Sequence, residues 1–163
     1  MNSLAPSQIE ATTSLMIVAA SNEPLLFLTG DLKIIAFSDS FCRVFQIDPA
    51  GLAGRSLPEI GSGEWGMPKL RSLLRATASG SAAIAAYEID LDRFGRKRRR
   101  LVVNARKLDD GDPSDSRLLV AIADVTTARE EAAAKDELVR EKAVLLREVS
   151  IASPTASRSS PAC

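Results

Sequence analysis

Three groups of residues combine type and spacing that could do chemistry. Cys42, inside the run FCRVFQ (Phe41–Gln46), offers a thiol. Arg93, Arg96, Lys97, Arg98, Arg99 and Arg100 gather cations around a short Gly-containing turn. Asp124 and Thr126 put a carboxylate and a hydroxyl where an apolar run gives way to a long charged one. A thiol can attack an electrophile, a cation cluster can hold phosphates, and a short acid with a hydroxyl can bond the first free N–H groups of a helix. Each also has a plain structural alternative: a buried inert thiol, a solvated hairpin, and a simple helix cap. The stronger constraint is an absence, because the 163 residues include no histidine. That excludes His-ligated haem, most catalytic-triad and zinc-hydrolase arrangements, and phosphohistidine chemistry on this chain.

Composition narrows the partners. The 21 basic and 21 acidic residues cancel, which gives no general reason to expect nucleic acid or an anionic membrane. In the basic run only Phe94 could stack on a base, and the acidic strand Glu88–Asp92 stands ready to pair across the hairpin. No nucleic-acid partner is therefore expected. Cys42 and Cys163 are too few for a disulfide framework, Met1 to Pro6 has no basic leader, and the apolar run Leu15–Ala20 is too short to span a bilayer. A cytoplasmic protein without a membrane segment is expected.

The elements that must position these groups follow from periodicity. Residues 1–20 read as a tail and a leading helix over Ser7–Ala20, with Ser7 and Glu10 as its capping box. Leu25–Thr29 and Leu32–Phe37 read as a hairpin across Gly30-Asp31, and Ser38–Ile47 as a helix with Phe41, Val44 and Phe45 on one face. Short irregular helix runs past Leu52, Gly54 and Leu57, GSGEWG (Gly61–Gly66) is a loop, and Pro68 opens a helix to Thr77. Strands follow over Ile84–Asp92, Arg98–Leu108 and Arg117–Val125, the last two separated by the loop Asp109–Ser116. The fold class is α+β, a five-stranded antiparallel sheet with helices on one face. Thr126–Val149 is a Gly- and Pro-free run dense in Ala, Glu, Lys, Arg and Leu, so a long helix follows the sheet. Its stripe Ala134, Leu138, Leu145, Val149 is narrow, closer to a coiled-coil seam than to a core face.

Over 21–126 the chain resembles the PAS sensory domain family. The resemblance is carried by LLFLTGDLKIIAFSDSF, similar to the family's strand, Asp-Gly turn, strand and Asn-x-x-Phe opening. It continues in FCRVFQIDPAGLAGRSL, similar to the family's F-x-x-L-F-G-Y-x-x-x-E-L-x-G-x-x-L. It closes in Asp124-Val125-Thr126, where the family has Asp-Ile-Thr. Gln46-Ile47 stands where Gly-Tyr is usual and Ser38 where Asn is common, marking a divergent member.

The resemblance implies a small-molecule pocket between sheet and helices. Tyr87, Ile89, Val103, Val120 and Ile122 on strands would line it, with Phe41, Phe45, Trp65 and Leu73 on helices. The same residues equally make an ordinary core. Asn104 either orients a ligand or faces solvent opposite Val103. The resemblance also makes Asp124 and Thr126 the pair that couples the domain to the long helix. FCRVFQ is similar to the Asn-Cys-Arg-Phe-Leu-Gln of flavin-binding light sensors. However, Phe41 replaces the Asn and Cys42 lies too soon after the first hairpin, so covalent flavin photochemistry is not expected. No cofactor is named.

Lys135–Ser150, ending LLREVS, resembles the helix entering the phosphoacceptor region of sensor histidine kinases of the HisKA_2/HWE type, whose motif reads roughly L-L-R-E-V-x-H-R-V-x-N-S-L-Q. The likeness stops at Ser150, and residues 151–163 read as a polar, disordered tail. Those residues have a further property. With allowed synonymous codons, and one nucleotide restored beside the Ser150 codon, they read H-R-V-A-N-S-L-Q-I-I-A-S-L in the displaced frame, which continues the motif. The expectation is a frameshifted product of a sensor-kinase gene: a PAS input at 21–126, a signalling helix at 127–150 and an out-of-frame tail. It would not be an enzyme as written, and would be a homodimer through the domain and helix. The alternative is a stand-alone PAS interaction module.

Overall fold

The structure, a computed structural model, describes residues 13, 15–93, 95–108 and 115–156. Its sheet comprises β1 (Leu25–Thr29), β2 (Ile34–Phe37), β3 (Ile84–Leu91), β4 (Arg99–Leu108) and β5 (Arg117–Asp124). Every pairing is antiparallel and the spatial order is β2-β1-β5-β4-β3. Between β2 and β3 lie α1 (Asp39–Phe45), a 3₁₀ turn (Leu57–Glu59) and α2 (Pro68–Ala78), and α3 (Thr126–Ala156) follows β5. This is the expected α+β arrangement.

Alternation makes the sheet one-sided. In β4, Leu101, Val103 and Ala105 are buried while Arg100, Asn104 and Arg106 are exposed; in β5 the buried set is Leu118, Val120 and Ile122. The register aligns these sets, with Ala105 opposite Val120, Val103 opposite Ile122, and Leu26 of β1 opposite Val120 from the other side. Phe41, Phe45, Leu70 and Leu74 from α1 and α2 complete the core. Fully burying a side chain of this size stabilises by about 1.5–3 kcal/mol.

Local departures from the expected pattern have identifiable causes. The first hairpin does not close on a two-residue Gly30-Asp31 turn. The loop runs to Lys33, Leu32 takes a left-handed φ of 65°, and Thr29 N bonds Lys33 O at 2.9 Å. Leu32 is buried at 1% exposure, so core packing offsets the strain. In β3 a bulge separates Ile84 (opposite Ala105) from Tyr87 (opposite Val103), and Ala86 takes φ 50°. Residues 15–19 are helical, whereas Ser7 and Glu10 of the expected capping box lie outside the described residues. The long helix runs past Val149 and Ser150 to Ala156. Pro154 removes one bond of the helical ladder and the helix ends two residues later. Residues 109–114 and 157–163 lie outside the described set, as does any statement on the Val149 side chain. The chain divides into two compact units, Met1–Val125 and Thr126–Cys163.

Ser38 joins sheet to helix. Its buried Oγ accepts from Leu25 N at 2.9 Å and from Phe41 N at 3.2 Å, and donates to Glu23 O at 2.8 Å. It is thus both the N-cap of α1 and the anchor of β1. Replacing Ser38 with Ala removes the hydroxyl partner of Leu25 N and of Glu23 O, and leaves Phe41 N its 3.1 Å bond to Ser38 O. A loss of about 2 kcal/mol is expected, measured by urea unfolding followed through Trp65 fluorescence.

Candidate sensing site

α1 carries Phe41 and Phe45 one turn apart on the same face. Trp65, carried by the loop Gly61–Gly66, packs against both. Phe41 and Phe45 have ring centroids 5.1 Å apart, Phe41 and Trp65 5.7 Å, and Phe45 meets Trp65 edge-on at 5.2 Å and 87°. Such pairs add about 0.5–1.5 kcal/mol each beyond area burial. Trp65 is 1% exposed, and its Nε1 is a buried donor with no hydrogen-bond partner among the described residues. A buried donor left unsatisfied costs about 1–3 kcal/mol. A small molecule entering this cluster would find that donor waiting for an acceptor.

The other proposed lining residues fall into two sets. Ile89, Val103, Val120 and Ile122 are buried with the trio in one core, and Leu73 and Tyr87 are partly buried against it. Tyr87 also takes Lys69 Nζ over its ring at 5.5 Å. Asn104 stands apart. It is exposed on the outer face of β4, where its Oδ1 accepts from Ala86 N at 2.7 Å. Of its two alternatives, the structure gives it the solvent-facing one, together with a task in the β3 bulge. Cys42 is on α1, buried, and its thiol is pushed up by burial and then by the carboxylates of Asp39 and Asp48. That environment lowers the thiolate fraction and with it nucleophilicity.

The basic run has a role that its sequence did not reveal. α1 ends at Phe45, with Gln46 in the left-handed C-cap conformation. Its last carbonyls need donors from outside the helix. Arg99 Nη1 reaches Val44 O at 2.5 Å, Arg93 Nη1 reaches Phe45 O at 2.5 Å, and Arg96 donates to Gln46 Oε1. Two of these cations are held in turn by acids, Arg93 Nε by Glu64 Oε1 at 3.2 Å and Arg99 by Asp124 Oδ2 at 3.5 Å. Arg98 with Asp92 and Arg100 with Asp90 make the hairpin pairs expected from composition. Asp124, proposed as half of a coupling pair, is therefore linked through one guanidinium to the end of α1. Thr126 is the first residue of α3 and half-buried.

Glu64 was the residue missed altogether. Its side chain is 3% exposed, and Oε2 accepts from Ser62 N at 2.5 Å. Gly61 takes φ 65°, and a Cβ there would press on the Glu64 carboxylate, so a side chain at this position would strain the turn that closes on it. Its neighbour Trp65 is thereby set into the core. The one signal in sequence was an acid beside the only tryptophan, flanked by glycines.

Glu64→Ala removes the carboxylate and leaves Arg93, 20% exposed, without its acid. A loss of about 3 kcal/mol is expected in urea unfolding, because breaking a buried pair leaves one charge uncompensated. In a Cys163→Ser background, Cys42 is expected to react with a disulfide reagent at neutral pH far more slowly in native than in urea-unfolded protein. Equal rates would show the thiol accessible.

No curated protein sequence matches the chain. Among solved structures, the PAS domain of Bordetella pertussis BvgS is similar with a TM-score of 0.60 at 13% identity, covering 82% of this chain and 98% of that one. The Rhodobacter sphaeroides LOV protein is similar at 0.59 and 13%, covering 80% and 76%. A PAS domain from a two-component sensor histidine kinase is similar at 0.52 and 11%, covering 72% and 98%. At these identities the likeness is one of fold. The PAS fold family itself matches residues 18–130, and with the five-stranded sheet and helices in the order described, the chain belongs to that family.

Proposed function

We propose that the chain is the sensory input module of a two-component sensor histidine kinase of the HisKA_2/HWE type. A ligand or redox state is read in the core around Phe41, Phe45 and Trp65. It is passed through Asp124-Val125-Thr126 to α3, which pairs with α3 of a second copy. The observation that carries this reading is LLREVS, the kinase-like stretch at Leu145–Ser150, standing on the helix that directly follows a PAS domain. Solved structures of similar fold include a PAS domain from a two-component sensor histidine kinase and the photoactive yellow protein domain from the sensor histidine kinase Ppr of Rhodospirillum centenum.

The helix supports pairing. Leu138 and Leu145 lie seven residues apart and are each 59% exposed, and Val139 and Leu146 repeat the same spacing beside them. Apolar groups so spaced on an otherwise charged helix gain by being covered. No described helix is long and apolar enough to cross a membrane, which suits a cytoplasmic module. With no histidine the chain cannot accept phosphate on that residue, so no acid-labile label from ATP is expected on it.

The displaced-frame reading H-R-V-A-N-S-L-Q explains why the motif breaks at Ser150. Sequencing the gene across codons 149–163 tests it. Third bases that permit the reading are expected, and any that forbid it end the frameshift account. Sedimentation of the full chain tests the pairing: a dimer is expected, and a monomer for Leu138→Lys/Leu145→Lys. A monomeric wild-type chain would instead favour a stand-alone interaction module whose exposed stripe meets another protein.

A further inference from the structure

A closed circuit of contacts holds Trp65 in the core. Its ring, 1% exposed, meets that of Phe45 edge-on at 5.2 Å. The carbonyl of the same Phe45 accepts from Arg93 Nη1 at 2.5 Å. Arg93 Nε in turn pairs at 3.2 Å with Oε1 of Glu64, the residue next to Trp65. The loop that carries both, Gly61–Gly66, makes backbone bonds at close range, Gly63 N to Ile60 O at 3.3 Å and Gly66 N to Gly63 O at 3.0 Å. Two adjacent side chains carry it into the rest of the domain, Trp65 through the aromatic rings and Glu64 through Arg93.

Gly61 and Gly63 take φ 65° and 86°, where glycine meets little steric resistance. Small residues at such places absorb backbone rotation, as hinges do. The Trp65 Nε1 donor works against the closed position. It is buried with no partner among the described residues, and it regains one whenever the ring reaches water.

We propose that Gly61–Gly66 is a gate on the aromatic cluster, latched by Glu64 on Arg93, and that breaking this pair lets Trp65 leave the core while the sheet stays folded. The paired side chains are 3% and 20% exposed, so salt screens the latch little. Glu64 is a positioning residue: it holds the loop and, through the loop, the indole. For the sensing role proposed above, the gate supplies what a closed core lacks, a way in for a small molecule. That use rests on the sensing reading. The opening itself does not, and its test needs no ligand.

The test is hydrogen exchange of the full chain in native buffer, following the indole N–H of Trp65, the sole tryptophan, beside the backbone amides of Val103 and Val120 in the sheet. Exchange of a buried N–H reports how often its surroundings open. The indole is expected to be less protected than the two strand amides, because it opens locally and they open with the sheet. Glu64→Gln is expected to speed indole exchange about tenfold, the value of one hydrogen bond between charged groups. Continued protection of Val103 and Val120 shows that this variant is folded. Leu118→Val lies on β5 opposite Lys107, at the end of the sheet away from the β3–β4 hairpin. It is expected to speed the strand amides and leave the indole rate as in wild type. An indole as protected as the strand amides, or one that accelerates with them in Leu118→Val, would overturn the gate. Indole exchange unchanged in Glu64→Gln would overturn the latch.

Discussion

A helix of seven residues ends with carbonyls that have no intrahelical donor, and those of Val44 and Phe45 in α1 are such carbonyls. Donors must come from elsewhere. Here they are the guanidiniums of Arg93 and Arg99, delivered from the β3–β4 hairpin to Phe45 O and Val44 O. Much else depends on that contact. It fixes the pose of the helix that carries Phe41 and Phe45, and those two rings set where Trp65 can sit. It also makes the tips of β3 and β4 part of the site rather than a solvated turn.

The same contact explains why acids are buried or half-buried around it. Glu64 is nearly inaccessible and Asp124 has 28% of its side chain exposed, each beside a guanidinium that also serves the helix end. An ion pair of this kind adds little net stability, because desolvation offsets much of the Coulombic gain. Its value lies in geometry and in sensitivity. A charge held by two acceptors at once responds when either moves, and one such charge stands between the aromatic core and Asp124. A sensor needs an element with two arrangements close in energy. The Arg99 junction has the composition of one: two competing acceptors and a single donor group.

Much of the fold was legible in the residues themselves. β4 and β5 announce their buried face through Leu101, Val103, Ala105 and Leu118, Val120, Ile122 at a period of two, and the helix after Thr126 through its composition. What was not legible depends on distant approach. Arg93 and Phe45 are 48 positions apart, and Arg99 and Val44 are 55 apart, so no local pattern could pair them. The basic run read as a surface hairpin because its charges balance those of Asp90 and Asp92. That reading is right for Arg98 and Arg100 and incomplete for the other arginines. Asn104 looked like a polar intruder in an apolar strand. Its purpose became visible only with the bulge at Ala86, whose left-handed φ no sequence rule assigns to alanine. The candidate pocket was legible as a set of apolar residues, but the unpartnered Trp65 Nε1 was not.

The central claim is the proposed coupling, in which Arg99, bonded to Val44 O and paired with Asp124, ties the end of α1 to the strand end that precedes α3. Native-state hydrogen exchange of Arg99→Ala against wild type tests it most directly. The account predicts faster exchange both for Phe45 and Ile47, whose amides belong to the last turn and cap of α1, and for residues 125–129. Faster exchange confined to α1, with residues 125–129 unchanged, would contradict it.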